Sequence, residues 1–367
     1  MSPRRPLSLE PDVPAARSSR PILGVTRRPT ILAILVVAFA LAACSGSSTP
    51  RPSVPPNATG SLLPPLTVTA PPSPSPSPAF PVSLTDDEGT TVALKAEPHK
   101  IVSLTPAETE ILFAIGAGPR VVGKVEDIAN FPPAAKSVPV VGTFSGVDVE
   151  KIVAAGADLV IAGGSGGTPT DAITKLRSLG VPVLVVYASD VKGALHDIEL
   201  TGSAVGHQAE AAALTASMQA GFDQVAQATA GASKPRVFYE TGDQPAIYGI
   251  ADNSVYAQMI ALAGATPITT GSATNWEMST EKLVAADPEL IILGDSAYGV
   301  TAEAVAKRPG WANLSAVRAH AIKPIDDIVV TRPGPRLVDG LRLLVAAIHP
   351  EIVLPSPPAP SPAAYGG

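Results

Sequence analysis

The sequence predicts an α/β fold with two Rossmann-like α/β lobes, one long rigid α-helix that joins them, and a ligand cleft between the lobes. Short apolar segments of strand length alternate with capped helical segments through the middle of the chain, which is typical of α/β folds. One helix-and-strand segment occurs twice, starting at Asp148 and again at Ser279. Between the two copies, residues 208–230 carry one unbroken helical pattern.

The repeated segment reads DVEKIVAAGADLVIAG in the first copy and STEKLVAADPELIILG in the second, and the two align without a gap. The first residue of each copy is the predicted N-cap of a short helix, and an apolar strand follows at 158–162 or at 289–293. The alignment matches Glu150 with Glu281, and an acidic residue at this place suits the positive end of a helix dipole. A repeat of this size indicates two lobes with the same plan.

The first lobe is predicted to open with a strand at 100–104, followed directly by a helix. Thr105 is the expected N-cap, Pro106 occupies the first helical position, and Glu108 completes a capping box. The other predicted elements of this lobe are the strands 121–124 and 181–186 and the helix 171–179. In the second lobe, the sequence predicts a strand at 236–240 and helices at 253–263 and 336–348.

The connecting segment contains no proline and one glycine, and its Ala, Leu and Gln residues favour helix. A single stiff helix between the lobes allows little hinge motion. The predicted boundaries are 1–44 for a signal peptide, 45–82 for a disordered Pro/Ser-rich linker, 83–206 for the N-terminal lobe, 207–232 for the connecting helix, 233–351 for the C-terminal lobe and 352–367 for a disordered Pro-rich tail.

The N-terminal segment has the features of an export signal. Thirteen apolar or small residues, 31–43, follow Arg27 and Arg28, and this run is too short for an ordinary membrane-spanning helix. It ends in LAAC at Cys44, which resembles the lipobox of bacterial lipoproteins. The resemblance implies that the Cys44 sulfur carries a diacylglyceryl group, and that the mature protein is anchored to the outer side of a membrane.

The composition argues against nucleic acid as a partner and against disulfide cross-links within the chain. The net charge is −6 and no long run of one sign occurs, so we expect no binding to nucleic acid. Because Cys44 is the one cysteine, no intramolecular disulfide and no cysteine metal cluster can form.

Several separate motifs resemble one known family. These are SLTPAETEILFAIGAG, KVEDIANFPPAAKSVPVVG, the paired DVEKIV and STEKLV elements, the long central helix and TRPGPRLVDGLRLL. In this order they resemble the helical-backbone (class III) periplasmic solute-binding proteins, which serve ABC importers of cobalamin, haem and ferric siderophores; the cobalamin-binding branch looks nearest. The resemblance implies a monomeric binding protein that is not an enzyme, needs no cofactor and has an ABC permease dimer as its partner.

The resemblance also implies functional residues. A Glu on each lobe of such proteins docks into arginine pockets of the permease, and the matching positions are Glu150 and Glu281. Free N–H groups where the helix opens at Pro106 suit an acidic ligand group, Trp276 offers a flat face for stacking, and Arg332 could pair with a carboxylate or phosphate. The expected ligand contacts are Ser103, Thr105, Phe144, Ser165, Tyr248, Trp276 and Arg332. The chain carries GGSGG where the cobalamin branch can place a large aromatic residue, which leaves room for a bulkier iron chelate.

Two other functions fit parts of the sequence. GGSGG also matches the G-x-S-x-G pattern of serine hydrolases, with Ser165 as the nucleophile of a lipid-anchored enzyme. A zinc- or manganese-binding transport protein would need about three His and a carboxylate in the cleft. The chain has five His, namely His99, His196, His207, His320 and His349. Three of them, His196, His207 and His349, are expected on the surfaces of helices.

Overall fold

The computed structural model describes residues 80–143, 146–164 and 167–356. These residues lie in one compact unit that spans residues 69–367. Cys44, the export segment before it, Phe144 and Ser165 lie outside the described residues, as do all but the last few linker residues and most of the C-terminal tail. Within the described ranges, no helix combines the length and apolarity that a bilayer crossing requires.

Strands and helices alternate along much of the chain. The strands are β1 Val82–Thr85, β2 Thr91–Leu94, β3 Ile101–Ser103, β4 Val121–Val125, β5 Val140–Thr143, β6 Gly146–Val147, β7 Leu159–Ala162, β8 Val183–Val185, β9 Arg236–Glu240, β10 Thr266–Ile268, β11 Leu290–Leu293 and β12 Ile322–Pro324. The α-helices are α1 Pro106–Ala114, α2 Val149–Ala154, α3 Thr170–Ser178, α4 Val191–Val205, α5 Gln208–Thr229, α6 Val255–Leu262, α7 Thr280–Ala286, α8 Ala302–Ala306, α9 Ser315–Arg318, α10 Asp327–Thr331 and α11 Leu337–Ile348.

Two sheets form the centres of two lobes. The first has the order β6-β5-β4-β3-β7-β8, and all its strands are parallel except β6, which pairs antiparallel with β5. The second has the order β10-β9-β11-β12 and is parallel throughout. The four strands β4-β3-β7-β8 therefore repeat the order of β10-β9-β11-β12, with β7 equivalent to β11. The predicted α/β fold with a duplicated plan is confirmed.

A hairpin of β1 and β2, which was not predicted, precedes the first sheet. Its turn is closed by Asp86, whose carboxylate accepts hydrogen bonds from the N–H groups of Glu88 and Thr90 and from Arg177 at 2.9 Å. The N–H of Asp87 donates to the carbonyl of Val185 at 3.1 Å. The hairpin is thus fixed to the carboxyl end of β8.

The predicted connecting helix is α5, which has 22 residues. A second helix that was not predicted, α4, precedes it and packs along it, and Gly206 between them has a φ of 76°, a left-handed conformation that glycine adopts without strain. On its other side α5 packs against α6 and α11 of the second lobe. One apolar cluster runs from Ile101 in the first lobe through Phe222 of α5 to Leu341 in the second. Because relative motion of the lobes would disrupt this shared core, the joint is stiff.

Candidate ligand-binding cleft

A cavity of about 650 Å³ lies between the lobes. One wall is formed by the segments that follow β3, β7 and β8, and the opposite wall by α10 with the two residues after it. Because β4 and β7 lie on opposite sides of β3, the strand order reverses here, and in open parallel sheets ligands bind outside the carboxyl ends of the strands at such a point. The cavity therefore lies where open parallel sheets commonly bind their ligands.

The turn from β3 into α1 forms part of the first wall. The Thr105 hydroxyl caps α1 by accepting the Glu108 N–H at 3.1 Å, and Thr105, which was proposed as a ligand contact, lines the cavity. Ser103 is fully buried, and its hydroxyl lies 2.9 Å from the Thr105 carbonyl oxygen, to which it donates, and 2.8 Å from the Thr109 hydroxyl. Ser103 thus stabilises the turn, and the cavity is contacted by Thr105.

Glu108 does not complete the capping box that the sequence predicts. Its side chain turns toward α4, where the Thr201 hydroxyl donates to Oε2 at 2.9 Å, and only 3% of the residue is exposed. Burial raises the pKa of Glu108 to about 8. The prediction was wrong because an S/T-x-x-E pattern does not show whether another helix covers the glutamate.

Asp197 of α4, which was not predicted as a site residue, is a second buried carboxyl group in the same wall. Burial, together with the nearby Glu108 and Asp87, raises the pKa of Asp197 to about 9. Near neutral pH both Glu108 and Asp197 are therefore protonated, and an uncharged carboxylic acid can donate a hydrogen bond to a ligand oxygen.

The glycine loop after β7 reaches the cavity, as predicted, with Gly163, Gly164 and Gly167. The N–H of Gly163 donates to the Thr168 hydroxyl at 3.2 Å, which holds the loop. A Cβ atom at Gly164 would collide with the ring of Tyr187, which is half-exposed and also lines the cavity. The absence of a side chain at Gly164 leaves space for this ring.

Asp327 supplies a carboxyl group from the second lobe. The Tyr239 hydroxyl donates to its Oδ1 at 2.8 Å and the Thr331 hydroxyl lies 3.4 Å from its Oδ2. Burial raises the pKa of Asp327, an effect that these two hydrogen bonds partly offset. The two walls thus both present carboxyl groups.

Arg332 lines the cavity, but its guanidinium group already has protein partners. Nη1 donates to Glu110 at 2.6 Å and Nη2 donates to Asp127 at 2.8 Å, and both carboxylates belong to the first lobe. Arg336 also binds Glu110, with Nη2 at 2.7 Å, and stacks on the Phe131 ring. Burial works to raise the pKa of Asp127, but hydrogen bonds from Arg332 and from backbone N–H groups outweigh it and hold the pKa low. The predicted pairing of Arg332 with a ligand anion would require it to leave these partners.

A second cavity of about 660 Å³ adjoins the first through Ala188, Thr331 and Pro333. Trp276 and Tyr256 line it, and their rings form an edge-to-face pair with centroids 5.4 Å apart. Trp276 therefore occupies the cleft as predicted. Tyr248 is part-buried and is not among the described residues that line these two cavities. Its backbone forms isolated β-bridges with Gly242 and Glu277.

The histidines do not meet in the cleft. His349 was expected at a surface, but it is 1% exposed at the C-terminal end of α11, and its Nε2 lies 3.1 Å from the Gly264 carbonyl oxygen. Over the described ranges, no three or more His, Cys, Asp or Glu side chains form a group that could hold a metal ion.

Glu150 and Glu281 differ from these buried groups because both are exposed. Each occupies the second position of a short helix. The caps of the two helices are also equivalent: Asp148 accepts the Lys151 N–H at 2.9 Å, and Ser279 accepts the Lys282 N–H at 3.1 Å. The two glutamates therefore occupy matching places in the two lobes.

Comparison with known proteins agrees with this architecture. The model of the periplasmic binding protein family matches residues 101–329. The chain belongs to this family. A Bacillus subtilis protein described as an ABC transporter substrate-binding lipoprotein is 35% identical over 278 residues, covering 74% of this chain and 87% of its own length. A cobalamin-binding protein of Halobacterium salinarum is 29% identical over 283 residues, covering 74% of this chain and 75% of its own.

Solved structures confirm the fold of this family member. The periplasmic vitamin B12 binding protein of Vibrio cholerae superposes with a TM-score of 0.60 at 24% identity, covering 68% of this chain and 96% of its own. A periplasmic haem-binding protein from Roseiflexus superposes with a TM-score of 0.61 at 25% identity, covering 69% and 98%. The predicted resemblance to class III periplasmic binding proteins is confirmed.

Proposed function

We propose that this chain is an extracytoplasmic lipoprotein that captures a corrinoid, namely cobalamin, and delivers it to the permease of an ABC importer. Its role is binding and hand-over rather than catalysis. The observation that carries the proposal is the pair of adjoining cavities between the lobes, at the carboxyl ends of the first sheet's strands. Relatives described as cobalamin-binding and as an ABC transporter lipoprotein support it.

The charges of the cleft favour cobalamin over haem or an anionic ferric siderophore. Among the described residues that line the two cavities, Arg332 is the one cationic side chain, and Glu110 and Asp127 neutralise it. A haem propionate or a catecholate would therefore find no free positive charge among the described residues of the two cavities. The carboxamide groups around a corrin ring are uncharged, and they can accept hydrogen bonds from Glu108 and Asp197 in their protonated forms.

The two tryptophans provide a direct binding assay. Trp276 lines the cleft, whereas Trp311 is 2% exposed in the core of the second lobe. Titration of the purified domain with cobalamin, haemin and several ferric siderophores should quench Trp276 fluorescence at the lowest concentration with cobalamin. The variant Trp276→Phe should lose most of the quenching, and Trp311→Phe should keep it. Tight binding of haemin or of a ferric siderophore, together with no binding of cobalamin, would refute cobalamin as the ligand.

Docking is proposed to involve Glu150 and Glu281, which project from equivalent helices and suit basic sites on a two-fold permease. Reversing both charges should leave cobalamin affinity intact and abolish uptake by cells. Normal uptake in that double variant would refute the docking role. Anchoring through Cys44 is tested separately: Cys44→Ala should release the protein from the membrane fraction, and a membrane-bound variant would refute lipidation at this residue.

A further inference from the structure

The helices α2 and α7 match each other in their exposed surfaces as well as in their place in the fold. Along each helix the residues Glu-Lys-X-Val-Ala occur in order, and their exposure follows the same pattern, with only X buried. X is Ile152 in α2 and Leu283 in α7, and both are fully buried. Val153 and Val284 follow them, and each valine is 43% exposed.

Folding explains the buried residues but not the exposed valines. Ile152 and Leu283 anchor their helices to the sheets, so any such repeat needs an apolar residue there. A half-exposed valine contributes little to the core, and its β-branched side chain is a weaker helix former than alanine or lysine. Single exposed apolar residues are common on protein surfaces. Here, however, the same residue is exposed to the same degree at matching places in two lobes.

Each valine lies beside the glutamate of its own helix. Residues three apart on a helix share a face, so Glu150 neighbours Val153 and Glu281 neighbours Val284. Each lobe therefore presents one carboxylate with one apolar group a turn away. An exposed charge mainly guides approach and orientation, whereas buried apolar area adds to affinity.

We propose that Val153 and Val284 form the apolar part of the docking surface and insert into two equivalent apolar pockets, each beside a basic group, on the two-fold permease dimer. This inference rests on the proposed transport function and deepens it. The duplication selects the partner: two copies of one patch on a single chain match a partner that offers the same site twice about a symmetry axis.

Site-specific photo-crosslinking in cells identifies the partner. A benzoylphenylalanine at position 153 or 284 should each crosslink to a transmembrane subunit of an ABC permease, identified by mass spectrometry. Position 343 is the matched control, because Leu343 is also a partly exposed apolar helical residue, at 40%, but lies on α11 outside the repeat. Crosslinking to a second copy of this chain, to an unrelated protein, or to nothing would overturn the proposal.

Affinity measurements test the contribution of the valines. Val153→Asp and Val284→Asp should each weaken binding to the reconstituted permease about tenfold, and the double variant about a hundredfold if the two distant sites act independently. Leu343→Asp should retain wild-type permease binding. Cobalamin affinity, read from Trp276 fluorescence, should stay unchanged in all four variants, which verifies that they fold. Val153→Ser and Val284→Ser, which add no charge, should each still weaken binding severalfold.

Charge-reversal variants of Glu150 and Glu281 distinguish a failure of the valine proposal from a failure of the proposed docking role. If charge reversal at Glu150 and Glu281 weakens permease binding but the valine variants bind as wild type, the valine proposal is overturned and docking stands. If neither set weakens binding, the assignment of this surface to docking fails as well.

Discussion

Arg332 and Glu110 form a buried ion pair that joins the two lobes at the cleft. Arg332 follows α10 of the second lobe, Glu110 belongs to α1 of the first, and the Nη1 to Oε1 distance is 2.6 Å. The side chains are 13% and 1% exposed. Arg336 binds the same carboxylate, so one acidic side chain holds two cations. Together with the apolar core that α5 shares between the lobes, this cluster ties the two sides of the cleft to each other.

Removing Glu110 should therefore destabilise the protein strongly. Glu110→Ala leaves two largely buried guanidinium groups with fewer partners, and breaking a buried pair in this way costs about 3–5 kcal/mol. Urea unfolding of the domain measures the loss. The control is Glu97→Ala: Glu97 pairs with Arg120 at 2.6 Å but is 46% exposed, and such pairs contribute about 0–1 kcal/mol. Similar losses in the two variants would contradict a special role for the interlobe pair.

The sequence predicted this fold well because the signals for it are local. The cap at Thr105, the repeat at Asp148 and Ser279, and the α5 helix each depend on neighbouring residues. The strand order was not predicted, because no local signal determines which strands are neighbours in a sheet. Element ends differ by one or two residues, as with the predicted helix 253–263 and the observed α6, where Asn253 adopts a left-handed conformation before the cap at Ser254.

The cleft was predicted less completely because its chemistry depends on contacts between distant segments. Arg332 lies more than two hundred residues from Glu110, and nothing near either residue shows that they pair. Asp197 looks like an ordinary polar position of a helix until α1 and the β1–β2 hairpin cover it. Tyr187 could have been found, since it follows the predicted strand 181–186 at its carboxyl end, where the ligand was expected.

Protonated Glu108 should make stability depend on pH. Its pKa is raised from 4.5 to about 8 on folding, so between these values the folded chain holds a proton that the unfolded chain has lost. The contribution of Glu108 to the free energy of unfolding must then fall as pH rises through this window, by up to about 1.4 kcal/mol per pH unit. Asp197, whose pKa is also raised, adds a decline of its own, so Glu108→Gln should make the total decline shallower without abolishing it. Urea unfolding at about pH 5 and about pH 8 measures both slopes, and parallel slopes would disprove the assignment.

Gly164→Ala should weaken ligand binding without unfolding the protein. The new methyl group would push the Tyr187 ring from its place in the cleft wall, and such overpacking costs about 1–3 kcal/mol. Cobalamin affinity, measured by Trp276 fluorescence, should fall about tenfold. Gly231→Ala is the control, because Gly231 is exposed after α5 and has open space around it. In a Tyr187→Ser background the effect of Gly164→Ala should shrink; an undiminished effect would show that the ring is not responsible.

The equivalent helix caps Asp148 and Ser279 should contribute equally and independently to stability. Each side chain accepts a backbone N–H at the start of its helix, and losing such a cap costs about 1 kcal/mol. Asp148→Ala and Ser279→Ala should therefore each lower the free energy of unfolding by that amount. Since the caps belong to different lobes and share no partner, the double variant should lose the sum.

Asp326→Ala is the matched control for the caps. Asp326 stands at the same position before α10, but its side chain makes no capping hydrogen bond, so its removal should change stability less than either cap. A loss in only one of the two cap variants would mean that α2 and α7 are not held in the same way. The equivalence of Glu150 and Glu281, which these helices carry, would then lose its structural basis, because a frayed first turn cannot present its glutamate in a fixed direction.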